Sequence, residues 1–442
     1  MTHPPTPLSS TPDEDRLARR NGRLYIAQVA LIYLSAPVLY VSFVHTALIA
    51  RLGGSDTVAN LPGAIFYSMA WVPMLAAWLV PEVRRLKATL ATSYLAVAAA
   101  SAVVAVLLLA ELPASVMIFV LAAHGAMLGA AVNLVSPLGW EILDRGMPIR
   151  HRGRTLGLAF GWGPLFAVVG SLAAQLLLRG NVFGWEPARW PAPTYPYNYA
   201  LLFGGCALTA AAGAALTRYY QFSTTGAENV RENFRTAVVN PAREFWADRE
   251  LRAVALAYLL VFSGLMAQNN LSMFSRETVG RPSEELAGYQ LTLQFSFKVA
   301  AGFALGWLLM RTNPKAPMLV TISLLLLALL WALNVPGQWY LLAFGLNGAG
   351  ELFGVYSMNY AASSSDRRRL RFNMAFLMLV ASAAGIAPLL YGRISDAWGL
   401  RASFYMALAI LASGWLIAYR QLPTWPRRQG PAARAESERA VA

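Results

Sequence analysis

R-Y-Y-Q-F-S-T-T-G-A-E-N-V-R-E-N-F-R-T-A-V-V-N-P-A-R-E-F-W-A-D-R-E-L-R, residues 218–252, divides the chain in two. It carries six arginines (218, 231, 235, 243, 249 and 252) and no long apolar run. Before it lie apolar segments at roughly 24–50, 58–80, 88–110, 114–143, 155–178 and 198–217. After it lie others at 252–273, 286–310, 316–334, 338–361, 372–392 and 400–420. A bilayer core takes about 20 apolar residues of helix to cross, so each segment is long enough to span it. The expected fold is all-α and integral to the membrane: twelve transmembrane helices in two six-helix bundles, 24–217 and 252–420, joined by the linker 218–251. Residues 1–23 form a cytoplasmic tail in this reading, and the Pro/Ala/Arg-rich residues 421–442 a disordered one. Within the linker, N-P-A-R-E-F-W-A-D-R-E-L-R (240–252) reads as a short amphipathic helix lying on the inner leaflet and tethering the halves.

Composition excludes most other classes. Of 442 residues 57% are hydrophobic and 13% charged, about half the charged share of a soluble domain. The net charge of +14 raises the question of nucleic acid, but no basic helix face interleaved with aromatics is present. The cations instead alternate in side. Twenty-eight of the 36 Lys and Arg fall on the side of the N-terminal tail, seven fall opposite, and Lys298 lies inside a span. By the positive-inside rule both termini are expected in the cytoplasm, with the chain crossing the cell's inner membrane repeatedly. Residues 1–23 are polar and lack a cleavable signal pattern, so the first apolar run inserts as a span. A lone cysteine, Cys206, excludes an internal disulfide and a Cys-based metal site. No H-x-x-x-H or H-E-x-x-H spacing points to a metal, and no G-x-x-x-x-G-K-[ST] to a nucleotide. No cofactor is expected, and the chain is read as a monomer.

The halves echo each other. L-A-A-H-G-A-M-L-G (121–129) in span four and L-L-A-F-G-L-N-G-A-G-E (341–351) in span ten each precede an acid, Asp144 or Asp366, and then an arginine cluster. Six-span repeats are a common transporter plan, with the site between the halves near the midplane. In this architecture the chain resembles the major facilitator superfamily over residues 24–420. That family's loop after span two often reads G-x-x-x-D-R-x-G-R-R. Here W-L-V-P-E-V-R-R-L-K (78–87) supplies Glu82 for the acid and Arg84 and Arg85 for the cations, without the glycines. The counterpart G-W-L-L-M-R-T-N-P-K (306–315) keeps Gly306, Arg311 and Lys315 but has Met310 in place of an acid. Y-G-R-I-S-D-A-W-G-L-R-A-S-F (391–404) resembles the G-x-x-x-D-x-x-G-x-R stretch at the end of span eleven. The resemblance implies a secondary transporter of a small organic solute working by alternating access, with cavity-lining spans one, four, seven and ten. With no nucleotide motif, an ion, a proton or the solute's own gradient would drive it. The alternative is a transporter-fold protein acting as an assembly factor or as a lipid or pigment carrier. A lipid-modifying membrane enzyme would need a catalytic cluster at the interface, and none is evident.

Candidate site residues follow from the cost of polarity in hydrocarbon. An unpaired charge at the bilayer centre costs about 2.5–3.5 kcal/mol or more, so Lys298 must face protein or water. Gln290, Gln294 and Lys298 are spaced i, i+4, i+8 and stack on one face of span eight. Glu351, with Asn347 on the same face, lies at similar depth in span ten, which runs in the same direction. A Lys298–Glu351 pair is expected, either a static ion pair or one exchanged against substrate or a proton. His124 and Asn133 on span four and Tyr33, Pro37 and Tyr40 on span one are further cavity candidates. His45 is expected at the membrane interface. Gln268, Asn269 and Asn270 either bind substrate or cap a helix end. At the cytoplasmic side Glu82, Arg84, Arg85, Glu141, Asp144 and Arg152 read either as an inner-gate charge cluster or as solvated interface charges.

Overall fold

The structure, a computed structural model, describes residues 12–427 apart from 42, 81, 148, 183–184, 186–192, 223–234, 236–238 and 366–369. The expected C-terminal tail beyond 427 and the first eleven residues lie outside it.

Among the described residues twelve helical spans are present, six on each side of the linker. Spans two to six occupy 56–79, 86–109, Ala114–Gly146, Ile149–Arg179 and Tyr197–Thr217. Span eight is Ser283–Arg311, span nine Lys315–Asn334 and span twelve Leu400–Gln421, while span eleven fills 370–398. Spans one, seven and ten are broken. Span one consists of Pro12–Leu34, Ala36–Leu39 and Val44–Arg51. Pro37 has no amide hydrogen for the preceding turn, which ends the first segment there. Span seven changes helix between Arg249–Leu265 and Gln268–Val279. Span ten begins as the 3-10 turn Gly337–Leu341 and changes helix at Leu352, between Leu342–Glu351 and Phe353–Ser364. In lipid, irregular backbone is tolerated where it is buried in protein or lines a cavity.

Ten of the segments are long and apolar enough to cross a membrane on length and composition alone. The first and tenth spans are not among these ten. The first helix also reaches back to Pro12, so residues 12–23, expected as tail, extend span one into solvent.

One end of the bundle collects the linker and the chain ends. Asn21 Nδ2 donates to the carbonyls of Gly146 (2.8 Å) and Gln221 (2.7 Å), and Lys87 Nζ donates to that of Tyr220 (2.8 Å). Arg427 pairs there with Asp248. This is the linker face; the opposite end is the far face. The linker helix is Asn240–Ala247, shorter than expected, because Asp248 starts a new helix by accepting from the amides of Glu250 and Leu251. Its Phe245 is buried against Phe376 of span eleven, ring centroids 4.9 Å apart. One apolar side of the tether therefore meets the bundle.

Two seams join the halves: span two against span eleven, and span five against span eight. Their hydrogen bonds sit towards the far face. Asp396 accepts from the amides of Asp56 (2.9 Å) and Thr57 (3.2 Å), capping the start of span two. Asn269 Nδ2 donates to Asn60 Oδ1 (2.8 Å), and Asn60 Nδ2 donates to Asn270 Oδ1 (2.7 Å). Asn270 Nδ2 donates in turn to Ser395 (2.7 Å) and Ser403 (2.8 Å). On the other seam Gln175 bonds the carbonyl of Glu285 (2.7 Å) and the amide of Gly288 (3.1 Å), while Arg179 pairs with Glu285 at 2.7 Å. Buried amides bonded to each other across an interface hold it shut, because separating them dry costs about 1–3 kcal/mol for each group left unpaired.

Candidate functional site

Glu351 is the last residue of its helix, at the break in span ten. Gly348, one turn earlier, lets span ten approach span eight: a Cβ there would lie 2.1 Å from the Gln294 carbonyl oxygen. Only glycine fits this crossing. It places Lys298 Nζ 2.7 Å from Glu351 Oε2, with side chains 10% and 22% exposed. Gln294 Nε2 donates to the same carboxylate oxygen at 3.0 Å. The expected pair therefore forms, and i, i+4 stacking on span eight supplies two of its groups.

The third group comes from the other half. Tyr40, at the break in span one, donates its hydroxyl hydrogen to Glu351 Oε1 (3.2 Å), and Lys298 Nζ donates to the Tyr40 oxygen (3.1 Å). The Lys298 ammonium also lies 5.4 Å from the Tyr40 ring centre and 5.2 Å from that of Phe295. Such contacts favour a cation in a desolvated setting. Tyr33 and Tyr40 meet Phe295 edge-on at 6.0 and 5.0 Å. One tyrosine of the N-terminal half thus bonds both members of an ion pair built by the C-terminal half.

Other candidates are placed differently. Gln290 accepts from Ser272 (2.8 Å) inside the C-terminal half, so the polar stripe of span eight splits: its first member braces span seven. Asn347 Nδ2 donates to Gln268 Oε1 (3.3 Å), and Gln268 Nε2 to the Tyr67 hydroxyl (3.3 Å). Gln268, Asn269 and Asn270 sit at the break of span seven and form part of the far-face seam rather than a headgroup cap. Asn133 bonds the Gly129 carbonyl of its own helix at 2.7 Å.

The histidines are corrections. His45 is fully buried rather than interfacial, and His124 lies inside the N-terminal half rather than on the cavity. His45 Nε2 and His124 Nδ1 share a hydrogen bond of 2.8 Å, and both rings stand edge-on to Phe203 at 5.3 Å. His124 Nε2 bonds Ser101 Oγ at 3.1 Å, and Ser101 reaches the Cys206 sulfur at 3.5 Å. The break at 40–43 redirects the end of span one into the bundle, which linear counting of residues cannot register.

At the linker face, Glu82 pairs with Arg85 three residues on at 2.6 Å, with both side chains more than half exposed, and Arg84 is exposed. Glu141 pairs with Arg145 at 3.0 Å within span four. The side chains of Asp144 and Arg152 lie outside the described residues. Among the described residues no group of three His, Cys, Asp or Glu side chains is placed to hold a metal.

Apolar helical spans on both sides of the linker make the chain a multi-pass membrane protein, with the Lys298–Glu351–Tyr40 cluster between its halves. The family model described as Major Facilitator Superfamily matches residues 271–441. A mutant of the nucleoside transporter NupG superposes with a TM-score of 0.67 at 11% identity, over 92% of this chain and 100% of that one. A D-xylose–proton symporter gives 0.64 at 12%, over 94% and 99%, and an auto-inhibited POT family peptide transporter 0.65 at 16%, over 90% and 95%. No curated protein matches the sequence. The family match covers the C-terminal part of the chain, and the fold it shares with these transporters extends over nearly all of it.

Proposed function

We propose that the protein is a secondary transporter that moves a small organic solute by alternating access, with Glu351 as the proton-coupling group. The supporting observation is Tyr40, which bonds both Lys298 and Glu351 across the interface between the halves. Protonating Glu351 removes the charge that holds Lys298 and changes what Tyr40 can bond. The state of the pair is thereby tied to the contact between the halves, the element that must move in alternating access. The far-face seam makes this conformation one closed on that side. The cation distribution supports an inner-membrane protein with both termini in the cytoplasm, so the closed side faces outwards.

The test is Glu351→Gln in the full-length protein reconstituted in liposomes. The variant is expected to exchange solute across the membrane as the parent does, yet fail to accumulate it in response to a pH gradient. Retained gradient-driven accumulation would remove Glu351 from the coupling role. A parent protein that moves no solute at all would favour the carrier or assembly reading.

A further inference from the structure

We propose that the solute carried through this site is an organic carboxylate with a compact apolar body; this rests on the transport reading above. The argument starts from unfilled space. Gly302 lies four residues past Lys298, and Gly354 three past Glu351. A Cβ built on either would meet no atom within 4 Å. Gly302 lies on the arc of span eight that holds Lys298 and Phe295, turned by about 100° and 140° from Phe303 and Trp307, which are 74% and 55% exposed. On span ten, Val355, just past the break that follows Glu351, is 60% exposed. Space therefore opens beneath the pair, towards the linker face, with glycine on both of its walls.

The chemistry around that space is uneven. Above it stands one cation, Lys298, and behind that cation a fully buried acceptor without a partner, Gln294 Oε1. Around it stand the exposed Val355 and the partly buried Tyr33, which meets the fully buried Phe295 edge-on. A polyhydroxylated solute needs an array of amide and carboxylate partners. The nearby mid-span amides Asn60, Asn269, Asn270, Gln268, Asn347 and Gln290 are bonded to one another or to neighbouring hydroxyls, with Asn269 Oδ1 and Gln290 Nε2 buried and left without a partner. What remains suits one carboxylate on Lys298 and an apolar remainder against the rings. The exchange balances in charge. A proton from solvent binds the Glu351 carboxylate, the Lys298 ammonium is released without losing its own proton, and the solute carboxylate takes its place. One proton and one carboxylate then cross together with no net charge.

The experiment uses the full-length protein in liposomes, with protein-free liposomes as blank and labelled phenylpyruvate, pyruvate, xylose and uridine as probes. Phenylpyruvate uptake is expected to saturate, to follow an imposed pH gradient and to ignore an imposed membrane potential. Gly302→Val and Gly354→Val add bulk where nothing stands in the fold, so both should lower phenylpyruvate uptake at least tenfold and raise the ratio of pyruvate to phenylpyruvate uptake. Lys298→Ala should abolish both. Uptake of xylose or uridine without either carboxylate overturns the solute class and leaves the transport reading intact. Phenylpyruvate uptake unchanged in both glycine variants overturns the placement of the site. Failure of every probe to move, with the protein still folded by thermal unfolding, counts against transport itself and takes this inference with it.

Discussion

Two buried polar clusters look alike in sequence and differ in structure. Each holds two titratable side chains deep in apolar spans: His45 and His124 in the N-terminal half, Lys298 and Glu351 in the C-terminal half. The histidines are bonded within one bundle, to Ser101 and against Phe203. The ion pair is built by one bundle, is bonded by Tyr40 from the other, and borders open space. A polar group inside one rigid half can stabilise that half but cannot report on the other. A group bonded across the interface is changed whenever the halves move. Membership of the interface, rather than ionisable chemistry or depth, separates the cluster proposed for coupling from the one confined to a single bundle.

The largest effect should come from Lys298→Ala. Removing one partner of a buried ion pair leaves the other charge uncompensated, at a cost of about 3–5 kcal/mol. Transport is expected to fall at least a hundredfold and thermal stability to drop. Lys298→Ala with Glu351→Gln should recover most of the lost stability, because no orphan charge remains, while transport stays lost. A double variant as unstable as Lys298→Ala alone would break the pairing argument; one that transports would show that the cluster only holds the fold.

His124→Leu is the matching test on the other side. It leaves His45 Nε2 and Ser101 without their partner, a cost of about 1–3 kcal/mol for a buried group. The unfolding temperature should fall, while the solute concentration for half-maximal uptake and the pH dependence of uptake stay as in the parent. A changed pH profile would place the histidines in the transport cycle and erase the contrast.

The sequence made this contrast half legible. Lys298, Gln294 and Glu351 were readable because helical spacing and equal depth in two spans of the same direction are one-dimensional facts. Their contact distance was not readable, since it depends on Gly348 meeting the Gln294 backbone. Tyr40 stood out only as a tyrosine near Pro37, because a cross-half partner leaves no local signal. Asn60 was missed for the same reason: a single asparagine in an apolar run does not say that it will meet Asn269 and Asn270 from another bundle. Asp396 was visible in its motif, but its position on the start of span two was not. His45 was misplaced because a broken span does not count depth as a straight one does. The twelve spans, by contrast, were legible almost throughout, since the need for about 20 apolar residues per crossing is itself local.

The smallest effect belongs to a third polar site, at the linker face and outside the spans, where the same reasoning can be graded by exposure. Asp248 caps the first helix of span seven through the amides of Glu250 (3.0 Å) and Leu251 (3.1 Å) and pairs with Arg427. Burial works to raise its carboxyl, but the Arg427 hydrogen bond and the two amides outweigh it and hold it below the usual 3.8. A folded-state value lowered in this way adds stability above the unfolded value and loses it as pH falls through the folded one. The contribution is therefore complete at neutral pH and disappears in acid below about pH 4. Asp248→Asn keeps an acceptor for the cap and removes only the charge, so stability at pH 7 should fall by less than about 1 kcal/mol, as for an exposed pair. Asp248→Ala removes the cap as well and should cost about 0.5–2 kcal/mol. Thermal unfolding of both variants at pH 7 and pH 3 separates the two parts: the gap between Asp248→Asn and the parent should be narrower at pH 3 than at pH 7. A gap as wide at pH 3 as at pH 7 would mean that Asp248 acts through packing rather than charge. Transport should be unchanged in both variants, because neither the cap nor the Arg427 pair joins the two halves across the site.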